Sequence, residues 1–144
     1  MKSRFYIFLA VLVLVMSWLL THNLSKAKPP LIAYLACADI TKSCGNDLFT
    51  VRFAEQPQAM RPLHFILHLN QAISPAQIHV DFAMKGMAMG LNRYRLVHVN
   101  DDWQADVTLP VCVQGRSDWE MLVEIEAEGG VKRFIVPFSA EKPS

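Results

Sequence analysis

The sequence QIHVDF at residues 77–82 alternates strictly between apolar and polar side chains. Successive side chains of a β-strand point to opposite faces of the sheet, so this alternation predicts a strand with one face in a core and the other in water. The same two-residue period runs through most of the chain that follows residue 48. It recurs at residues 49–53, 63–69, 103–109, 121–125 and 133–138.

Turn-forming residues separate these segments, as an all-β domain requires. Gln56-Pro57 and Ser74-Pro75 fall between predicted strands, and Gly129-Gly130 fits a tight hairpin turn. With further strands at about residues 31–37 and 92–99, the chain has seven or eight strands in roughly 110 residues. We therefore predict a mostly β domain over residues 31–144, folded as an immunoglobulin-like antiparallel β-sandwich, with a small β-barrel as the alternative.

The N-terminal segment has a different composition from this domain. Residues 5–20, FYIFLAVLVLVMSWLL, contain no charged side chain. As a helix they span about 24 Å, and their flanks extend the segment toward the roughly 30 Å of a bilayer core. We predict an uncleaved transmembrane anchor over residues 1–22, with a cleaved signal peptide as the alternative.

The anchor predicts where the rest of the chain resides. A polar, proline-containing linker is predicted at residues 23–30. The N-terminus is expected in the cytoplasm of a bacterium, residues 5–20 in its inner membrane, and residues 31–144 in the periplasm.

Charge and motifs exclude several classes of function. Removing residues 1–20 leaves 12 Lys and Arg against 13 Asp and Glu, so no nucleic-acid partner is expected. The chain has no Gly-x-Ser-x-Gly, His-Glu-x-x-His or Cys-x-x-Cys motif, and we do not expect an enzyme. The acidic row of Glu120, Glu124, Glu126 and Glu128 is predicted to be a solvated sheet face.

Three cysteines occur, and an exported domain resides where disulfides persist. Cys37 and Cys44 enclose six residues, ADITKS, and Gly45-Asn46 follow; this turn-like composition predicts a local disulfide between the two cysteines. Cys112 is then unpaired, and three interpretations stay open for it. It is a buried core residue, a metal-ligating thiolate, or the true partner of one of the other two cysteines.

One stretch suggests chemistry. Met84, Met87 and Met89 lie within six positions, with Gly86 and Gly90 interleaved. Thioethers are soft ligands that suit Cu(I), and glycines permit the tight turns that aim several side chains at one ion. The alternative is that these methionines only cover one end of the sandwich core.

Histidines and the third cysteine are candidates to complete such a site. His79 precedes the methionines on the same predicted strand, and Cys112 is the remaining thiol. His64 and His68 share one strand face but lie about 13 Å apart, too far to chelate one ion together.

The methionine stretch also carries a resemblance to a known family. Residues 84–90, MKGMAMG, then Asn92 to Leu96, and later residues 109–119 resemble the FixH-like and YtkA-like group of small membrane-anchored bacterial proteins. The stretch has no proline between Met84 and Met89, and the three cysteines have no counterpart in that pattern.

This resemblance implies an immunoglobulin-like exported domain that supplies copper to cytochrome oxidases or other envelope cuproproteins. The expected cofactor is Cu(I), and the expected partner is a cuproprotein or oxidase subunit. The alternative is an accessory subunit of a membrane complex that uses the methionine loop as an apolar contact patch.

Overall fold

Strands make up most of the chain that the structure describes. The structure is a computed structural model, and it describes residues 6, 9, 11–18, 32–87, 89–111 and 116–142. The strands of this described part, in chain order, are β1 Ile32–Tyr34, β2 Cys44–Gly45, β3 Phe49–Phe53, β4 Pro62–Leu69, β5 Gln77–Met84, β6 Arg93–Arg95, β7 Val97–Val99, β8 Asp102–Thr108, β9 Asp118–Ala127 and β10 Gly130–Ser139.

The strands form two five-stranded sheets. The first sheet has the order β1-β10-β9-β5-β6, and the second has the order β2-β3-β4-β8-β7. Neighbouring strands are antiparallel, except that β1 runs parallel to β10. The two sheets enclose one apolar core, which confirms the predicted mostly β, sandwich-like fold.

The alternating sequence produces the core directly. On β5 the side chains of Ile78, Val80 and Phe82 are fully buried, while the residues between them face outward. Each strand presents its apolar set to the opposite sheet because the side-chain period of a strand is two. Aromatic rings pack between the two sheets. The ring centroid of Phe53 in the second sheet lies 5.5 Å from that of Phe138 and 6.1 Å from that of Phe82, both in the first sheet.

The outer face of the first sheet differs from the prediction for its acidic row. Glu126 and Glu128 are exposed as expected, but Glu124 is only 9% exposed. Arg93 of β6 and Arg133 of β10 both reach over the sheet to the Glu124 carboxylate. Two guanidinium groups compensate the carboxylate for the water that burial removes from it. The prediction that Glu124 belongs to a solvated face was therefore wrong.

The predicted leader lies largely outside the described residues. Tyr6, Leu9 and residues 11–18 are helical, while the linker at residues 23–30 lies wholly outside the described part. No helix among the described residues is long and apolar enough to cross a bilayer. The transmembrane anchor therefore stays a prediction.

Candidate functional site

A tight turn ends β5 and begins the methionine stretch. The main-chain N–H of Met87 donates to the carbonyl oxygen of Met84 at 3.0 Å, so residues 84–87 form a β-turn. Gly86, its third residue, has a φ of 71°. A turn with positive φ only at this position is type II, which favours glycine there. The sequence-based expectation that a glycine shapes this turn is confirmed at Gly86.

The three methionines do not occupy equivalent places. Met84 is 2% exposed and belongs to the sandwich core, where its strand pairs with β9 at Trp119. Met87 and Met89 are half-buried. The structure therefore distinguishes Met84, which is buried in the core, from Met87 and Met89, which are partly exposed.

Met87 and Met89 line one cavity on the outer side of the first sheet, with a volume of about 420 Å³. We call it the methionine cavity. The main-chain N–H of Met84 lies 3.2 Å from Met89 Sδ, which fixes the Met89 side chain over the end of β5. The residues that line the methionine cavity are Ile32, Asp81, Ala83, Met87, Met89, Gly90, Leu91, Glu120, Leu122 and Ile135.

The floor of this cavity follows from strand register. Asp81 pairs with Leu122 across β5 and β9, and Leu122 pairs with Ile135 across β9 and β10. Leu122 occupies an outward position of β9 that is acidic at Glu120, Glu124 and Glu126, and Ile135 occupies the neighbouring outward position of β10. These two side chains give the outer face of the first sheet an apolar patch beneath the loop that joins β5 to β6, which we call the methionine loop.

Two carboxylates share this cavity with the thioethers. Ala83 pairs with Glu120, so Asp81 and Glu120 are diagonal neighbours on one face, about 7–8 Å apart between Cα atoms. Neither forms an ion pair within the part of the chain that the structure describes. The lining of the cavity therefore combines soft sulfur with two carboxylates, and Arg93, the cross-strand neighbour of Asp81 on β6, directs its guanidinium to Glu124.

A second set of contacts holds the turn against the next strand. The Arg116 guanidinium donates to the carbonyl oxygen of Lys85 at 3.0 Å and forms an ion pair with Asp118. This hydrogen-bonded pair with Arg116 holds the pKa of the Asp118 carboxyl below its ordinary value. The main-chain N–H of Lys85 also points to the Asp118 carbonyl at 3.4 Å. The first half of the loop is thus fastened to the start of β9.

The return strand β6 is fastened to the other sheet. The Tyr94 hydroxyl donates to the carbonyl oxygen of Thr108 at 3.1 Å and accepts from the Thr108 N–H at 3.0 Å. Arg93, next to Tyr94, reaches Glu124 at 2.5 Å. Burial works to raise the pKa of Glu124, but the hydrogen bonds from Arg133 and Arg93 outweigh it and hold that pKa below its ordinary value. The methionine loop is therefore anchored at both ends.

The histidines fall into two groups. His79 lies on the outer face of β5, two residues from Asp81 and therefore about 7 Å along the strand from the cavity. His64 and His68 lie on the other sheet, where their Nδ1 atoms contact Asp106 at 2.9 Å and Asp102 at 2.8 Å. His98 lies on β7 of the second sheet as well, so of the four histidines that the structure describes only His79 shares a sheet face with the methionine cavity.

The structure tests the predicted disulfide between two of the three cysteines. The structure places Cys37 and Cys44 at disulfide distance, with their Cα atoms 5.2 Å apart, as predicted for that pair. Cys37 lines a second cavity of about 610 Å³, and this disulfide cavity shares Glu120 with the methionine cavity. Cys112 lies outside the described residues, so its interpretations as a core residue and as a metal-ligating thiolate stay open, whereas the pairing of Cys37 with Cys44 leaves neither as its disulfide partner.

Sequence reasoning did not identify the carboxylates or the cavity floor. The available signal was the apolar Leu122 among the acidic outward positions of β9, with the apolar Ile135 at an outward position of β10. Asp81 gave no comparable signal, because alternating strands place polar residues outward everywhere.

Within residues 32–87, 89–111 and 116–142, no three His, Cys, Asp or Glu side chains gather around one point. Comparisons with protein-family models, with curated proteins and with solved structures find no match to this chain.

Proposed function

We propose that this chain is a membrane-tethered bacterial envelope protein that binds Cu(I) and hands it to a cuproprotein such as an oxidase subunit. Met87 and Met89 are the proposed ligands. The observation that carries the proposal is that both thioethers line a single cavity. Thioether sulfur suits Cu(I), and unlike a thiol it is not lost to disulfides in an oxidising compartment.

The geometry of the loop supports a preformed site. The type II turn and the contact from the Met84 N–H to Met89 Sδ restrict the loop before any ligand arrives. Restricting a loop in advance lowers the entropic cost of binding. Met84 itself is proposed as a core residue that supports the site, because ligation would require its buried side chain to leave the core.

Two further residues complete the proposal. His79 is proposed as an additional ligand, since it faces outward on the strand that also carries Asp81. Cys112 is proposed as the other, on the ground of its thiol chemistry alone. Asp81 and Glu120 supply negative charge that offsets the charge of a bound cation.

The proposed tether would enter the domain beside the site. Residues 5–20 would span the inner membrane, with residues 31–144 in the periplasm. Ile32, the first residue of β1, lines the methionine cavity together with Met87 and Met89. In a tethered protein the cavity would therefore lie close to the end of β1 at which the linker joins the domain.

Strand order supports the immunoglobulin-like part of the proposal. The order β10-β9-β5-β6 corresponds to strands G-F-C-C′ of a variable-type domain, and β3-β4-β8-β7 corresponds to A-B-E-D. One departure is that the buried tryptophan, Trp119, lies on the strand equivalent to F rather than C.

X-ray absorption at the copper edge tests the proposal. The sample is the full chain in detergent with Cys112→Ala, loaded with one equivalent of Cu(I). We expect sulfur neighbours around copper that disappear in the Met87→Leu/Met89→Leu variant. A spectrum with only nitrogen or oxygen neighbours, or one unchanged in the double variant, contradicts the proposal.

A second function is favoured by one observation. Leu91 is 86% exposed and Ile32 is 48% exposed, and both line the methionine cavity. Exposed apolar side chains around a cavity mark contact surfaces, so an accessory subunit that docks a partner here is the alternative. Leucine keeps apolar contact but cannot bind copper, so a Met87→Leu/Met89→Leu variant that keeps full function favours this alternative.

A further inference from the structure

The disulfide between Cys37 and Cys44 is asymmetric in its exposure. Cys37 is half-buried and lines the disulfide cavity, whereas Cys44 is 4% exposed and belongs to the core. The cavity has a volume of about 610 Å³ and is also lined by Trp119, Phe138 and Glu120. It offers room for a short segment of another protein beside Cys37.

We infer that Cys37–Cys44 is a thiol–disulfide exchange site for a dithiol protein, which enters the disulfide cavity and attacks Cys37. Exchange requires a thiolate to reach one of the two sulfurs, and access decides which sulfur is attacked. The inference is independent of copper binding, because it rests on the cysteines and their cavity alone.

The protonated Cys44 thiol has a hydrogen-bond acceptor in the fold. The Sγ atom of Cys44 lies 3.6 Å from the main-chain carbonyl oxygen of Asp39. Once the disulfide opens, the Cys44 thiol can donate a hydrogen bond to that carbonyl. The reduced form therefore gives its buried thiol a partner without any rearrangement of the core.

The segment between the cysteines is held by bonds other than the disulfide. The Asp39 carboxylate accepts from the Thr41 N–H at 3.0 Å, and the Lys42 N–H donates to the Asp39 carbonyl at 3.2 Å. Ile40 is 4% exposed, and its carbonyl accepts from the Phe53 N–H at 3.0 Å. These contacts keep the turn closed when the sulfurs separate, so reduction does not require unfolding.

Charges around the cavity do not repel an incoming thiolate strongly. The Asp39 carboxylate lies 3.3 Å from the Lys42 ammonium group, and the Asp118 carboxylate forms an ion pair with the Arg116 guanidinium. Lys85, which lines the same cavity, adds a positive charge. Glu120 also lines this cavity and forms no ion pair among the described residues, so an anionic sulfur nucleophile meets a surface that carries both negative and positive charges.

The exchange balances as a transfer of two electrons. The partner's first thiolate forms a bond to Cys37 Sγ, the bond between Cys37 and Cys44 breaks, and Cys44 leaves as a thiolate that takes a proton from water. The partner's second thiolate then attacks its own sulfur in the mixed disulfide and releases Cys37 as a thiolate, which is also protonated. The partner ends as a disulfide and this chain as a dithiol.

The first test follows reduction of the native protein. The full chain with Cys112→Ala is incubated in dithiothreitol at increasing urea concentrations below its unfolding transition, and reduction is followed by mass spectrometry. We expect a rate that changes less than twofold with urea, because attack occurs on the folded state. A rate that rises in parallel with the unfolding constant overturns the inference, since the sulfurs would then be reached only by unfolding.

The second test asks which sulfur is attacked. Peptide mapping after brief exposure of the native protein to reduced glutathione should find the adduct on Cys37, at least tenfold more often than on Cys44. In parallel, a Cys-x-x-Cys oxidoreductase that lacks its second cysteine should be trapped on Cys37. An adduct mainly on Cys44, or equal amounts on both, contradicts the proposed direction of attack. This test uses no substitution at either cysteine, so a folding defect cannot obscure it.

Discussion

The main-chain N–H of Met84 points at the Sδ atom of Met89 across 3.2 Å, so the residue that ends β5 in the core also positions a thioether outside it. Only one of these two methionines is buried in the sandwich. A sulfur acceptor is weak, and the contact orients Met89 more than it stabilises the fold. The division between a supporting methionine and two cavity-lining methionines is the basis of the copper proposal.

The turn that carries this loop depends on Gly86. Its φ of 71° is one that side chains with a Cβ rarely adopt, and we expect Gly86→Ala to destabilise the fold by roughly 1–2 kcal/mol. Urea denaturation measures the loss. Gly90→Ala is the matched control, because Gly90 has open space around it and no positive φ, and it should change stability by less than about 0.5 kcal/mol. Equal effects at both glycines would contradict the turn assignment.

The bond between Tyr94 and Thr108 ties the return strand β6 to the second sheet. Tyr94→Phe removes a hydroxyl that both donates and accepts there, and we expect a loss of about 1 kcal/mol in the free energy of unfolding. Tyr34→Phe is the control, since Tyr34 is 72% exposed and should have almost no effect. If Tyr94→Phe proves neutral in urea denaturation, the tie does not stabilise the fold.

Glu124 should make stability depend on pH on the acid side. The pKa of its carboxyl is below the ordinary value because the bonds from Arg133 and Arg93 outweigh burial. A depressed pKa stabilises the fold at pH values above the unfolded pKa of about 4.3, and this stabilisation is lost as the pH falls through the folded pKa.

Glu124→Gln removes that dependence. We expect the variant to be less stable at pH 7 by roughly 1–3 kcal/mol and to differ less from the wild type as the pH falls below about 4. Denaturation midpoints between these pH values provide the measurement. The exposed Glu126 supplies the control Glu126→Gln, and a wild-type curve that matches both variants at every pH would refute the role given to Glu124.

The disulfide should stabilise the domain through the unfolded chain. Closing the loop from Cys37 to Cys44 is worth about 2.5 kcal/mol in the chain-entropy model. The Cys37→Ala/Cys44→Ala variant should lose about that much relative to the wild type, with both chains also carrying Cys112→Ala. Calorimetry and urea denaturation check this, and an unchanged stability would mean that the bridge does not form in the protein.

Sequence patterns predicted the sheets better than the site. Alternation at Ile78, Val80 and Phe82 defined a buried face correctly, because a half-buried strand has no other means of separating core from solvent. The local pairing of Cys37 with Cys44 was predicted from the turn-forming residues around them, since a turn brings nearby side chains together.

The site required contacts between strands that are distant in sequence. Asp81 and Glu120 become neighbours only through the register of β5 and β9. The burial of Glu124 depends on arginines from two other strands, Arg93 and Arg133. No local period encodes these relationships, so a spacing rule that treated Met84, Met87 and Met89 as one group could not separate the core residue from the two in the cavity.

Competition for Cu(I) between the protein and a colorimetric chelator is the most direct test of the central claim. The full chain in detergent, with Cys112→Ala and ascorbate as the reductant, is compared with its Met84→Leu and Met87→Leu/Met89→Leu derivatives. We predict that the double variant binds Cu(I) at least tenfold more weakly, while Met84→Leu stays within about threefold of the parent because leucine fills the core position that methionine leaves. Unchanged affinity in the double variant, or an equal loss in Met84→Leu, would contradict the account.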